Sequence, residues 1–117
     1  MKKAFADTLT KIALADPRVV LVTGDYCYGM FDRLKAERPA QYVNAGTCEQ
    51  ATVGYAAGLA IGGFVPFVYT ITPFLLERAF EQYDIKVDGS DLTAAIGRRM
   101  CIESAAEESI ADAQQEE

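Results

Sequence analysis

Residues 44–63 read NAGTCEQATVGYAAGLAIGG. A polar turn, Asn44-Ala45-Gly46-Thr47, leads into an apolar stretch with helical character. Glu49 stands at its start, and no further charge occurs before Glu77. A carboxylate at the mouth of so long an uncharged segment must be solvated, paired or used, because burying a lone charge is strongly unfavourable. Two readings compete. Glu49 is either a first-turn acid favoured by the helix dipole, or a buried catalytic carboxylate with a raised pKa.

The flanking sequence supplies the frame. Val19-Val20-Leu21-Val22-Thr23 is a continuous apolar run, as a strand buried on both faces shows. Before it, Phe5, Leu9, Ile12 and Ala13 recur at helical spacing, and Asp16-Pro17 ends that helix, predicted over Lys3 to Ala15. The loop Gly24-Asp25-Tyr26-Cys27-Tyr28-Gly29 follows the strand. A helix is predicted from about Met30 to Glu37, a short strand from Gln41 to Asn44, and the glycine-rich helix from Cys48 to Ile61, ended by Gly62-Gly63. Val65 to Ile71 reads as a third strand, and Pro73 opens a helix running to about Tyr83. Helices alternating with strands predict an α/β fold, a parallel sheet with helices on both faces. In such sheets ligands gather at the carboxyl ends of the strands, which makes Asp25 a candidate site residue.

Composition narrows the function. The chain of 117 residues fits one modest domain and carries a net charge of −6. All of that charge lies in residues 88–117, since residues 1–87 hold nine acids and nine bases. Without a basic surface, nucleic acid is not an expected partner. Cys27, Cys48 and Cys101 show no C-x-x-C spacing and histidine is absent, so no metal site is expected, and catalysis by a Ser-His or Cys-His pair within this chain is excluded. The N-terminus reads as an amphipathic helix and not a secretory leader, so a cytoplasmic protein with reduced thiols is expected. Gly54, Gly58 and Gly62 form a stripe that also suits a membrane helix. The helix reaches only ~22 Å against the ~30 Å of a bilayer core, so no membrane is expected, and the stripe instead suits close approach to a sheet or another helix.

N-x-G-x-x-E-Q at Asn44 to Gln50, A-A-G-L-A at Ala56 to Ala60 and P-F-L-L-E-R-A-F-E-Q at Pro73 to Gln82 occur in that order. Together they resemble the pyrimidine-binding domain of transketolase-like thiamine diphosphate enzymes, which include transketolase, 1-deoxyxylulose-5-phosphate synthase and the β subunits of 2-oxo acid dehydrogenases. The resemblance implies the thiamine diphosphate-binding fold. It implies that Glu49 bonds a ring nitrogen of the cofactor's aminopyrimidine and supplies the proton that activates it. Such a role needs a carboxyl group with a raised pKa. It further implies that Phe74 lies against the pyrimidine and that Arg78 lies near the substrate.

The likeness is read over residues 1–87, a truncated pyrimidine-binding domain. Residues 88–117 read as an acidic helical or disordered tail; within it, residues 91–117 show no strand pattern and are expected to be dispensable to the core. The diphosphate-binding G-D-G…N motif is not found. Thiamine diphosphate would therefore be shared with a partner chain, and magnesium held only through that partner. A diphosphate-binding subunit or domain, in a hetero- or homo-oligomer, is the implied partner. The reaction class implied is ketol or aldehyde transfer. The alternative is a catalytically inactive α/β fragment or interaction module.

Overall fold

Val19–Thr23 forms strand β1, and all five of its residues are buried. Period-2 alternation sends Val19 and Leu21 to one face and Val20 and Val22 to the other. Two apolar layers follow from that division. Val19 and Leu21 pack with Ala6, Leu9, Phe31, Leu34 and Tyr69. Val20 and Val22 pack with Val53, Ala56, Ala57, Val68 and Leu75. The first layer is covered by helices α1 (Lys2–Ala15) and α2 (Asp32–Glu37), the second by α3 (Glu49–Ile61) and α4 (Thr72–Arg78). Each helix thus closes one face of a sheet that would otherwise expose continuous apolar surface.

The computed structural model describes residues 2–83, 86–87, 90–91 and 101–104. Strand β2 (Tyr42–Asn44) and strand β3 (Val65–Thr70) flank β1, both parallel to it. Two short strands, β4 (Lys86–Val87) and β5 (Ser90–Asp91), pair antiparallel. Cys101–Ser104 forms β6, which pairs parallel with β3 and completes a four-stranded sheet in the order β2-β1-β3-β6. The α/β architecture expected from the sequence is the observed one. The expected acidic helix or disordered tail over 88–117 lies, apart from 90–91 and 101–104, outside the described residues. The absence of a strand pattern there is corrected by β6. A four-residue strand carries too little periodicity to be read, and its pairing is set by the open edge of β3.

Local differences have local causes. The predicted helix over Phe74–Tyr83 is broken at Ala79, between α4 and helix α5 (Phe80–Tyr83). Ala79 is fully buried against the sheet-facing core, which fixes its position at the break. Gln41 belongs to a 3₁₀ turn, Pro39–Gln41, and not to β2. Its buried amide Nε2 donates to the carbonyls of Ala13, Asp16 and Val19 at 2.7, 3.0 and 2.8 Å. One side chain thus pins the end of α1 to the start of β1.

The glycine stripe is oriented differently from expectation. Gly54 and Gly58 are exposed, and an added Cβ at either would meet no atom within 4 Å. The buried face of α3 is instead Thr52, Val53, Ala56, Ala57 and Ala60. Ala56 and Ala60, at i and i+4, let the helix approach the sheet. Among the described residues no helix is long and apolar enough to cross a membrane.

Replacing Gln41 by Leu should destabilise the chain by about 2–3 kcal/mol, because buried carbonyls lose their donor. Urea unfolding of the variant, with the m-value unchanged, measures this. A loss below ~0.5 kcal/mol would show that the amide is not a structural pin.

Candidate functional site

The carboxyl ends of β1, β2 and β3 deliver three loops to one edge of the sheet. Gly24 leaves β1 in close contact with the β2–α3 turn. A Cβ on it would meet the Gly46 carbonyl oxygen at 2.6 Å and the Tyr26 ring at 2.8 Å. Only glycine permits that approach. Gly46 turns the second loop at φ +70°, a conformation that disfavours other residues. The Ala45 amide donates to the Thr23 carbonyl at 2.8 Å, and the Asn44 side-chain amide donates to Asp25 Oδ1 at 2.8 Å. Asn44 Oδ1 accepts from the Gly46 amide at 2.7 Å, closing an Asx turn.

This lacing aims Tyr26 at the first residue of α3. The Tyr26 hydroxyl donates to Glu49 Oε1 at 2.7 Å. From the last turn of α4, Arg78 Nη1 donates to the same oxygen at 3.1 Å. Glu49 itself is buried, its side chain 7 % exposed, whereas that of Arg78 is 55 % exposed. Phe74, one helical turn before Arg78, closes the cluster. Its ring centroid lies 5.8 Å from that of Tyr26, and the Arg78 guanidinium sits 4.0 Å above it. Three of the four sequence-predicted site residues, Glu49, Phe74 and Arg78, therefore meet. Asp25 does not join them. It is exposed and bonds Asn44 at the rim.

Tyr26 is the site residue that the sequence did not single out. Its neighbour Asp25 drew attention because it stands at the carboxyl end of a parallel strand, where ligands gather. The available signal was an aromatic hydroxyl in a loop leaving a buried parallel strand, with glycines at both ends.

The ionisation of Glu49 corrects an expectation. Burial pushes its carboxyl upward, as the sequence reading supposed. Hydrogen bonds from Tyr26 and from its own backbone amide, together with the charge and hydrogen bond of Arg78, outweigh burial and hold it below the usual glutamate range. The same hydrogen bond, then burial, raises the Tyr26 phenol. Cys27, under the loop, is buried and pushed upward by that burial, so it is an inert thiol here. Exposed Cys48 forms the N-cap of α3 without a side-chain capping bond. Among the described residues no group of three His, Cys, Asp or Glu side chains could hold a metal ion.

With this geometry in hand, comparison with known proteins is informative. The family described as transketolase, pyrimidine binding domain, matches residues 1–109. A 1-deoxy-D-xylulose-5-phosphate synthase of Microcystis aeruginosa is 43 % identical over 81 residues, covering 68 % of this chain and 13 % of that protein. An uncharacterised 33.6 kDa protein of the fasciation locus of Rhodococcoides fascians is 34 % identical over 96 residues, covering 82 % of this chain and 31 % of that one. Among solved structures, a split-gene transketolase described as an inactive β4 tetramer superposes with a TM-score of 0.61 at 29 % identity, over 72 % of this chain and 28 % of that one. The chain thus spans well under half of each of these proteins.

Tyr26→Phe removes a donor that favours ionised Glu49. The folded-state pKa of Glu49 lies below its unfolded value, so its stabilisation is present above the unfolded pKa and lost as pH falls through the folded one. The variant should be less stable at neutral pH by about 1 kcal/mol, a hydrogen bond to a charge discounted for the solvent that reaches Tyr26. The gap should close in acid, and the Glu49 carboxyl carbon should titrate at higher pH in NMR. An unchanged titration would show that Tyr26 does not hold the carboxylate.

Proposed function

The chain belongs to the family of transketolase pyrimidine-binding domains, and from that premise we propose that it is the pyrimidine-binding part of a thiamine diphosphate-dependent transketolase-like enzyme that transfers ketol or aldehyde units. The observation that carries the proposal is the buried Glu49 carboxylate with the Phe74 ring beside it in one cluster, through Tyr26 and Arg78.

That pair fits an aminopyrimidine. A buried acceptor at the start of α3 suits a ring nitrogen that carries or shares a proton, and an aromatic face suits the flat ring. When bound, thiamine diphosphate supplies the thiazolium that stabilises a carbanion. The chain's own contribution is orientation and a proton. Phe74 fixes the plane of the ring. Glu49 is to share a proton with the ring nitrogen, and burial favours that shared form against the hydrogen bonds and the Arg78 cation that oppose it. Tyr26 orients the carboxyl group by its hydroxyl. Arg78, half exposed at the mouth, is assigned to substrate. Asp25 at the rim is a second, more distant candidate.

The diphosphate and magnesium are assigned to a partner subunit or domain, and a hetero- or homo-oligomer is the proposed assembly. Two features support it. A structural relative of the chain is a split-gene transketolase described as a tetramer. The α3–α5 side of this chain presents Tyr55, Ile61, Leu76 and Phe80 to solvent around the open glycines, an apolar surface of the kind that partners cover. The reducing cytoplasm is the proposed setting, supported by free Cys27 and Cys48. A second reading, a catalytically inactive α/β module, is favoured by one observation: Tyr26, the Glu49 backbone amide and Arg78 together keep Glu49 ionised.

Alone, the chain should bind thiamine diphosphate weakly even with magnesium, and tightly only with a diphosphate-binding partner chain. Isothermal titration with and without that partner tests this, and strong magnesium-dependent binding by the single chain would overturn the shared site. In the assembled enzyme, Glu49→Gln should lower turnover about 100- to 10,000-fold while leaving assembly intact, the usual range for a lost acid–base group. Exchange of the cofactor's carbon-2 proton should slow in parallel. Unchanged exchange with a slightly lower melting temperature would reduce Glu49 to a helix-start acid.

A further inference from the structure

Arg78 reaches the cluster from the last turn of α4. Its guanidinium lies over the Phe74 face at 4.0 Å, and one of its edge N–H groups meets the Glu49 carboxylate at 3.1 Å. A guanidinium is flat, delocalised and rimmed by in-plane donors. A 4-aminopyrimidine shares that plan in part: a π face for stacking, and an in-plane ring nitrogen that meets a carboxyl group once it carries or shares a proton. Both groups ask for one aromatic surface and one carboxyl group. We propose that Arg78 is the resident occupant of the seat that Glu49 and Phe74 offer the pyrimidine ring, so that ring and guanidinium compete for one place. The inference rests on the functional reading above and adds a mode of regulation to the same site.

Exchange is physically accessible. The Arg78 side chain is more than half exposed, so leaving the seat returns its charge to water, and half-exposed ion pairs and cation–π contacts are individually weak. Its departure changes the carboxylate. Among the described residues, the groups that face Glu49 are Tyr26 from the β1–α2 loop and Arg78 from α4, with Asp25 acting on Tyr26 from the rim. Without Arg78, no cation among the described residues faces Glu49, and the balance moves towards the neutral acid, opposed still by the hydrogen bonds of Tyr26 and the backbone amide. Opening the seat and easing the protonation of Glu49 thus move together. This narrows the gap between an ionised Glu49 in the resting chain and a role that needs a proton.

The test uses the full chain in solution with 4-amino-2-methylpyrimidine, a neutral ring fragment, so that charge repulsion by Arg78 cannot imitate competition. Binding and the Glu49 carboxyl titration are followed by NMR in the native chain and in Arg78→Ala, Arg78→Gln and Glu49→Gln. Arg78 is exposed, and the amide spectrum of each variant verifies its fold. The two Arg78 variants should bind the fragment roughly three- to tenfold tighter than the native chain, and their Glu49 titration should move to higher pH. Binding no tighter in either Arg78 variant, while Glu49→Gln still weakens it, would overturn the competition and leave the functional reading standing. Failure of any variant to show Glu49-dependent binding would overturn both. A Glu49 titration unmoved by loss of Arg78 would overturn the proton coupling.

Discussion

A carboxylate that is 7 % exposed must be given partners or it will not remain charged. Glu49 obtains them from a loop and a helix end that are remote from it in sequence. Tyr26 comes 23 residues before it and Arg78 29 after it. The demand of one buried charge therefore fixes the relative placement of the β1–α2 loop, the start of α3 and the end of α4. These are the segments that a parallel sheet delivers to a common edge. The sheet brings them near, and the carboxylate specifies the contact.

The close approach has a backbone requirement. Tyr26 reaches Glu49 because Gly24 lets the first loop lie against the Gly46 carbonyl, at a distance where any side chain would collide. Asn44 then ties both loops together, through Asp25 on one side and the Gly46 amide on the other. Asp25 and Asn44 thus support the geometry from the rim. The apolar layers below give this edge a rigid base, with β1 filling both layers from alternate residues.

Much of this was legible in the residues. A five-residue apolar run with helices on either side implies a strand buried on both faces, and β1 is that strand. Pro73 and Gly62-Gly63 mark helix ends because each acts through its own backbone chemistry. Glu49 stands out because charge is absent for so long after it. The rest depended on tertiary facts. Whether Glu49 is neutral or ionised is set by Tyr26 and Arg78, whose distances to it no local pattern encodes. Burial alone argues for a raised pKa, and the hydrogen bonds of Tyr26 and the backbone amide, with Arg78, reverse it. The face of α3 was equally ambiguous, since a helix apolar all round has no amphipathic signal to orient it. Alanine turned out to face the sheet, and Gly54 and Gly58 the open side. Strand β6 was invisible because four residues pair through backbone groups at an edge, which composition does not report.

The pairing of Arg78 with Glu49 also explains how the seat proposed for a pyrimidine ring can persist without one. An empty seat would leave a buried carboxylate facing an aromatic surface, two groups that gain little from each other and much from a flat cation. A lysine could neutralise the charge, but as a compact ammonium it would not cover the Phe74 face with a matching plane. Arginine satisfies both surfaces at once while remaining exposed enough to leave. The residue best able to stabilise the vacant seat is thus one that resembles its intended guest. The stability of the resting chain and its readiness to bind are set by the same contact, with opposite signs.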